Sequence, residues 1–264
     1  MATLSRIFVY PIKSTAPVEL VTANVEAEGL QHDRRYVVTD ARGRFFTARR
    51  FPRLVLVRSE IDGDGLIVSA PGTGDLQLAP ADFPSQYDPI TVWKDTVQGQ
   101  RCGPQADAWF SDYLGLEARL YFMGEKSRRL SRAGGVVSYA DAAPLLVLSE
   151  NSVADLNTRL VKKVRMRNFR PNLVVSGCEA CAEDSFGDFT IGDVAFESLW
   201  QCSRCVLTTI DPDTAEVDAN RQPLATLMDY RRRNNDECVF GMNVAATGVG
   251  TVHVGQEIVL SQTR

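Results

Sequence analysis

The sequence predicts a mixed, β-rich fold, in which a barrel-like N-terminal domain precedes a second β-rich domain that carries a few helices. Three observations predict it. The first hundred residues consist of short apolar runs separated by Gly and Asp turns. A stretch of helical periodicity follows at residues 104–115. Beyond residue 144, apolar strand-like runs alternate with short amphipathic segments.

The N-terminal half begins with a strand, predicted by the apolar run "SRIFVYPI". The turn from Asp40 to Gly43 separates the strand-like runs "RRYVVTD" and "RFFTAR". Gly63 and Gly65 mark a second hairpin, between "RLVLVRSEID" and "LIVSAPG". Further strand is predicted at "ITVWKDTVQGQRC". Short strands at this spacing favour a barrel or a sandwich.

Two helices have clear start and stop signals. The segment "PQADAWFSDYLG" has Pro104 in its first turn and Gly115 at its end. The segment "PLLVLSENSVADLNTRLVKKV" predicts a buried strand and then a helix, which Ser149 or Asn151 can cap. The apolar face of this second helix is formed by Val153, Leu156, Leu160 and Val164.

The remaining elements are strands and one short helix. Strands are predicted at "RPNLVVSG", "FTIGDVAFESLWQCSRCVLTTID" and "GVGTVHVGQEIVLSQ", and a helix at "QPLATLMDYRRRN". The basic stretch "MGEKSRRLSRAGG" predicts an exposed loop in which Arg128, Arg129 and Arg132 are solvated. We place the domain boundary beside it, which gives domains at 1–120 and 121–264.

Composition excludes several classes of function. The 264 residues carry a net charge of −4, whereas general nucleic-acid binders are normally basic. No run approaches 18 apolar residues, and the first residues lack a secretory signal, so we expect no membrane span and a cytoplasmic location. With only His32 and His253 available, a Ser-His-Asp triad is disfavoured.

Six cysteines admit several interpretations. Cys178-x-x-Cys181 and Cys202-x-x-Cys205 have the spacing of a four-cysteine zinc site, which would make the chain a non-catalytic binding module. A thiol redox couple is disfavoured because "CSRCVLTT" is a poor helix former and predicts a strand. The thiols can also be plain core residues, an interpretation that Cys102 and Cys238 fit.

Eight motifs occur in an order that covers essentially the whole chain: "YPIKS", "HDRRYVVTD", "TARRFPRLV", "SYADAAPLLVLSE", "NFRPNLVVSG", "CSRCVLTTIDPDT", "PLATL" and "FGMNV". Together they resemble the MOSC-domain proteins with an N-terminal β-barrel domain, a family that includes the mitochondrial amidoxime reducing component and the bacterial YcbX-type proteins. The resemblance implies that 1–120 is the N-terminal β-barrel-like domain. Residues 121–264 would be a MOSC β-barrel domain that binds a molybdenum cofactor.

The resemblance also implies a ligand for the metal. In the family, the second cysteine of C-S-R-C binds molybdenum, which corresponds to Cys205 here. A soft thiolate suits a metal that is already bound by dithiolene sulfur. Cys202 is then a neighbour and not a ligand. The carboxylate of Asp141 matches a family position near the metal, where it would orient substrate or relay protons.

Further family positions imply contacts to the phosphate and pterin of the cofactor. These residues are Lys13, Ser14, Arg34, Arg170, Asn172, Ser203, Arg204 and Asn243. Pro171 is expected to hold the chain extended, so that Arg170 and Asn172 point to one face. Asn243 departs from the residue type of some family members. Other arginines (Arg49, Arg50, Arg53) either rim the cleft or are solvated.

The implied reaction is the reduction of N-hydroxylated compounds, such as hydroxylamines, amidoximes and N-hydroxylated bases. The cysteine spacings do not match those of a plant-type ferredoxin, so we expect no iron–sulfur cluster in this chain and a separate reductase or ferredoxin-type protein as electron donor. Sulfur transfer through Cys205 remains an alternative, because the wider MOSC family is linked to it.

Overall fold

The chain forms the predicted β-rich mixed fold. A computed structural model describes residues 1–233 and 236–261. Strands account for 38% of the chain and helices for 18%, which confirms the fold class. No helix in the described part of the chain is long and apolar enough to cross a membrane.

The described residues form eighteen strands and three α-helices. The strands are β1 (Thr3–Val9), β2 (Val18–Leu20), β3 (Thr22–Glu26), β4 (Gly29–Leu30), β5 (Tyr36–Thr39), β6 (Arg58–Asp62), β7 (Gly65–Ser69), β8 (Leu76–Leu78), β9 (Tyr87–Val92), β10 (Asp95–Arg101), β11 (Arg119–Phe122), β12 (Leu145–Ser149), β13 (Leu173–Ser176), β14 (Phe189–Ile191), β15 (Val194–Ser203), β16 (Val239–Ala246), β17 (Gly250–His253) and β18 (Ile258–Leu260). The helices are α1 (Pro104–Leu114), α2 (Glu150–Thr158) and α3 (Leu224–Tyr230).

The largest sheet has eight strands in the order β18-β14-β15-β16-β12-β13-β1-β2. It curls around an apolar core to which Ile7, Val147, Leu173 and Val244 contribute. Its neighbours pair antiparallel, except for β12 and β13, which run parallel. The first two strands of the chain therefore extend a sheet that is otherwise built from its second half.

Three smaller sheets complete the fold. Their strand orders are β5-β11-β10-β9, β17-β3-β4 and β6-β7-β8. Helix α1 packs on a second core, which includes Phe110, Leu120 and Val68. The predicted boundary between residues 120 and 121 falls inside β11, which pairs with β5 and β10. The division into domains stays a prediction.

Local signals placed the helices well. Helix α1 starts at Pro104, and Gly115 closes it with a φ of 71°. Ser149 caps α2 by accepting a hydrogen bond from the Ser152 amide. The helix is shorter than predicted, because it ends at Thr158 and leaves Leu160 and Val164 beyond it.

Two predicted strand segments are wrong. Pro52–Leu56 forms a 3₁₀ helix, with Pro52 in its first turn. Val206–Thr209, directly after the C-S-R-C motif, is also a 3₁₀ helix. The hydroxyls of Thr208 and Thr209 donate to carbonyls three residues earlier, at 2.9 and 2.7 Å. This local bonding outweighs the strand preference of β-branched residues.

Candidate functional site

The site begins at the tight turn that follows β1. The Thr15 amide donates to the Ile12 carbonyl at 3.2 Å, and the Lys13 amide donates to the Tyr36 carbonyl at 2.8 Å. Ser14 lies in the left-handed region, with a φ of 73°. This turn buries both Lys13 and Ser14 and directs the Lys13 side chain toward the loop before β12.

Lys13 forms an ion pair with Asp141 and donates to the Tyr139 carbonyl at 2.7 Å. Burial lowers the pKa of Lys13 to about 8, although Asp141 opposes the shift. The Asp141 side chain is 63% exposed and also accepts a hydrogen bond from Trp93 Nε1 at 2.9 Å. Although the side chain is largely exposed, the protein around it partly desolvates the carboxylate, which works to raise its pKa. The Lys13 charge and the hydrogen bonds from Lys13 and Trp93 outweigh this effect and hold the pKa of Asp141 well below its usual range.

Arg34 precedes β5 and reaches the same region. It forms an ion pair with the buried Asp33 and donates from Nη1 to Asn172 Oδ1 at 3.0 Å. Its guanidinium lies 4.7 Å from the ring centre of Tyr10. Burial works to lower the pKa of Arg34, but Asp33 outweighs it, so the group stays charged.

Arg170 approaches the same tyrosine ring. Its guanidinium carbon lies 4.1 Å from the Tyr10 ring centre, and Nη1 donates to the Thr15 carbonyl at 2.6 Å. Burial lowers the pKa of Arg170 to about 10. Its φ is 59°, so the expected extended conformation before Pro171 is wrong. The position of the Arg170 side chain near Arg34 is therefore set by its contacts with Thr15 and Tyr10, and not by an extended backbone.

Asn172 is fully buried, and both the oxygen and the nitrogen of its side-chain amide are hydrogen-bonded to other protein groups. Besides the contact with Arg34, Oδ1 accepts from the Leu146 amide at 3.3 Å, and Nδ2 donates to the Phe8 carbonyl at 3.1 Å. It therefore joins the ends of three strands. Its predicted contact with a cofactor stays a prediction, and the structure gives this side chain a structural role.

Asn243 lies on the same face of the large sheet as Asn172. Leu146 pairs with Asn243 across β12 and β16, and Trp200 pairs with Asn243 across β15. Met242 and Val244 point into the barrel core, so Asn243 points to the opposite face. With two strand spacings between them, the two asparagines are about 10 Å apart.

Arg204 approaches the cluster from the C-S-R-C motif. Its Nη2 donates to the Phe169 carbonyl at 2.6 Å, and its Nη1 lies 2.9 Å from Cys202 Sγ. Its Nε is buried without a partner among the described residues. Ser203 is exposed and donates to Glu237 at 2.6 Å. Cys202 therefore contacts a predicted cofactor residue, whereas the Ser203 hydroxyl is used by Glu237.

Cys205 begins the 3₁₀ turn that follows Arg204. The turn is fixed by Asn168, whose Nδ2 donates to the carbonyls of Thr208 and Ile210, each at 3.2 Å. The thiol is half-buried. Burial raises the pKa of the nearby Cys238 thiol, and Cys205 adds to this increase.

The site therefore combines buried cations with one accessible soft ligand. Arg34, Arg170 and Arg204 converge around Tyr10, with Asp33 as a counter-charge. Lys13, which is paired with Asp141, lies within electrostatic reach of Arg34. Lys13 and Arg170 have lowered pKa values, and Arg204 Nε has no hydrogen-bond partner in the described part of the chain. Such a surplus of buried positive charge is suited to an anionic ligand.

The other cysteine pair lies elsewhere. Cys181 donates its amide to Ser152 Oγ, and the Cys178 carbonyl accepts from Asn151, both at the N-terminal end of α2. Across residues 1–233 and 236–261, no three His, Cys, Asp or Glu side chains are grouped to hold a metal ion. The four-cysteine zinc alternative does not form in this structure.

Three residues of this site, Tyr10, Asp33 and Trp93, were not predicted from the sequence, and Arg129 was predicted to be solvated. That prediction is wrong, because Arg129 is buried, while Arg128 and Arg132 are exposed. Arg49 stacks on Trp93, with 4.7 Å between the guanidinium carbon and the ring centre, so it borders the site. Asp33, between two motif residues, carried a usable signal, whereas Trp93 and Arg129 carried none.

Comparisons with known proteins agree with this organisation. Residues 1–117 match the family model described as the MOSC N-terminal beta barrel domain, and residues 134–259 match the MOSC domain. The human mitochondrial amidoxime-reducing component 1 is 37% identical over 98% of this chain and 83% of its own length. The mouse protein of that name is 38% identical over 98% and 82%. Bovine mitochondrial amidoxime reducing component 2 is 35% identical over 98% and 83%.

Proposed function

Since this chain belongs to the family of MOSC-domain proteins with an N-terminal MOSC β-barrel domain, we propose that it reduces N-hydroxylated compounds with a molybdenum cofactor. Its relatives are named for amidoxime reduction, and they align with almost the whole chain. The single observation in the structure that carries the proposal is a group of buried cations near the turn of Cys205, in which Arg34, Arg170 and Arg204 surround Tyr10 and Lys13 lies within electrostatic reach of Arg34.

The residues present fit such a cofactor. Arg34 and Arg170 offer planar donors for phosphate or pterin oxygens, and Lys13 offers a point charge. The unpartnered Nε of Arg204 is a further donor that an anionic ligand can satisfy. Cys205 supplies one thiolate, which a molybdenum centre bound mainly by other sulfur atoms requires. Ser14, Asn172, Ser203 and Asn243 remain proposed contacts.

When bound, the cofactor supplies the two electrons of the reaction. The N–O bond breaks, two protons are taken up, and the products are the N–H compound and water. Asp141 has an exposed carboxylate beside the buried Lys13 ammonium. We assign Asp141 to accept hydrogen bonds from the N–H or O–H groups of the substrate. Lys13 Nζ holds a proton that can pass through Asp141 to the leaving hydroxyl.

The proposal includes two features of the protein's surroundings. Electrons are proposed to come from a separate donor protein of the reductase or ferredoxin type, because the cysteine spacings differ from those of a plant-type ferredoxin. The location we propose is the cytoplasm, although the relatives' names are mitochondrial. Nucleic acid is not a proposed partner, because the net charge is negative.

The direct test is reduction of an aromatic amidoxime with an artificial low-potential electron donor. The protein is purified from a host that makes the molybdenum cofactor. We expect amidine to form, Cys205→Ser to abolish its formation and Asp141→Asn to slow it. The matched control is Cys178→Ser, which should retain activity because Cys178 lies at α2. Absence of amidine from molybdenum-loaded protein would contradict the proposed reaction.

A further inference from the structure

Arg129 is a buried arginine in the middle of a basic, otherwise exposed loop. Its residue exposure is 5%, whereas its neighbour Arg128 is exposed. Nε donates to Asp95 Oδ2 at 2.7 Å. An arginine is costly to bury unless its donors are used, so the partners of this side chain indicate what it does.

The other partners are backbone carbonyls of the loop that carries Asp141. Arg129 Nη1 donates to the carbonyls of Ser138, at 3.1 Å, and Ala140, and Nη2 donates to that of Asp141 at 3.0 Å. The intervening carbonyl, of Tyr139, accepts from Lys13 Nζ at 2.7 Å. Two buried cations therefore bind four successive carbonyls, and both act on the segment 138–141.

This arrangement fixes the direction of the Asp141 side chain. Arg129 binds the backbone carbonyls of the loop, while Lys13 and Trp93 bind the Asp141 carboxylate. The backbone carbonyl of Arg129 also reinforces the loop, because it accepts a hydrogen bond from the Val137 amide at 3.0 Å. Among the described contacts, Arg129 makes no hydrogen bond to the carboxylate itself, so it orients the Asp141 side chain through the backbone of the loop.

We propose that Arg129 is a positioning residue for the reaction, which orients Asp141 and Lys13 by clamping residues 138–141. The proposal rests on the proposed function for its catalytic consequence, but the clamp itself is a property of the chain alone. A lysine cannot replace it, because one ammonium on a flexible stem cannot reach Asp95 and three carbonyls at once.

The surroundings of Arg129 provide an unusually direct test. The residue also lines an open groove of about 960 Å³, together with Phe122, Tyr87 and Lys126. If the side chain is removed, the space it leaves opens into this groove. A guanidinium ion from solution can then enter and donate to the same oxygens.

The experiment compares Arg129→Ala and Arg129→Lys with Arg132→Ala, an exposed arginine of the same loop outside the groove. Each full-length variant is loaded with cofactor and assayed for amidoxime reduction. We expect kcat/KM to fall about 10- to 100-fold in Arg129→Ala and somewhat less in Arg129→Lys, as for a catalytic group moved by about 1 Å. Millimolar guanidinium should restore much of the Arg129→Ala loss, whereas tetramethylammonium at equal concentration should not.

A second measurement needs no activity. The fluorescence of Trp93 is isolated by subtracting the signal of the same protein with Trp93→Phe. Quenching of this fluorescence by acrylamide should be stronger in Arg129→Ala than in wild type, and guanidinium should bring it back to the wild-type value. If Trp93 responds this way while wild type reduces no amidoxime, the clamp stands and the proposed reaction fails. If active wild type and Arg129→Ala agree within about twofold and Trp93 is unchanged, the inference is overturned. Should Arg129→Ala not fold, Asp95→Ala removes the acceptor of Nε alone. This variant must give the same changes in weaker form, and its failure to do so overturns the inference.

Discussion

Replacing Asn172 with alanine should destabilise the protein even when no cofactor is present. The Asn172 side chain has no exposed surface and makes hydrogen bonds to Arg34, to the Leu146 amide and to the Phe8 carbonyl. These partners belong to three separate parts of the chain. The substitution leaves them facing a cavity that is too enclosed for bulk water to fill freely.

The magnitude follows from the three lost bonds. The bond from Arg34 is charge-assisted and is worth about 1.5–3 kcal/mol, and each neutral bond contributes about 1 kcal/mol. Arg34 can relax toward its ion-pair partner Asp33, which recovers part of the free energy lost with these three hydrogen bonds. We therefore expect the free energy of unfolding to fall by about 3–5 kcal/mol, which is large for a single substitution. Asn172→Asp should lose less, since it still accepts from Arg34.

Urea unfolding of cofactor-free protein measures this directly. Tryptophan fluorescence and circular dichroism should give one shared transition, whose midpoint falls in Asn172→Ala without a change in slope. Asn220→Ala is the matched control, because Asn220 is exposed. A loss below about 1 kcal/mol for Asn172→Ala would refute the structural role.

Three further predictions concern the site. The lowered pKa of Lys13, about 8 against an ordinary 10.5, means that the unfolded chain binds more protons between these values. The unfolding free energy of cofactor-free protein should therefore rise with pH across that window, by about 3 kcal/mol at most, and pH-dependent urea melts should show no such rise in Lys13→Met. Cys202→Ala should still bind molybdenum, but the metal should dissociate about 3- to 10-fold faster on dilution, because Arg204 loses its contact with Cys202 Sγ. A dissociation rate equal to that of the wild type would show that Cys202 has no role in holding the cofactor. Trp93→Phe removes a hydrogen bond to Asp141 and should lower kcat/KM for amidoxime about threefold to tenfold; an unaltered steady-state value would contradict the contact.

Local sequence signals predicted the elements that depend on neighbours in the chain. Pro104 and Gly115 bound α1, and Ser149 caps α2, because these effects operate within one helical turn. The same reasoning failed at Val206–Thr209. There the strand preference of the residues loses to hydroxyl bonds and to the amide of Asn168, which comes from a distant segment.

The site was only partly predictable for the same reason. The motifs marked Lys13, Arg34, Arg170 and Arg204, and the structure brings the three arginines around the Tyr10 ring, with Lys13 within electrostatic reach of Arg34. Spacing alone could not show this, since Lys13 and its partner Asp141 are 128 residues apart. Burial of Arg129 was unpredictable because its partners come from β10 and from the loop before β12.

The central claim is that one thiolate, Cys205, binds molybdenum beside a cluster of buried cations. The most direct test is elemental analysis of the full-length protein from a host that makes the cofactor. We expect about one molybdenum per chain, pterin fluorescence after denaturation, and loss of the metal in Cys205→Ala but not in Cys181→Ala. Zinc in place of molybdenum, or equal metal loss in both variants, would contradict it.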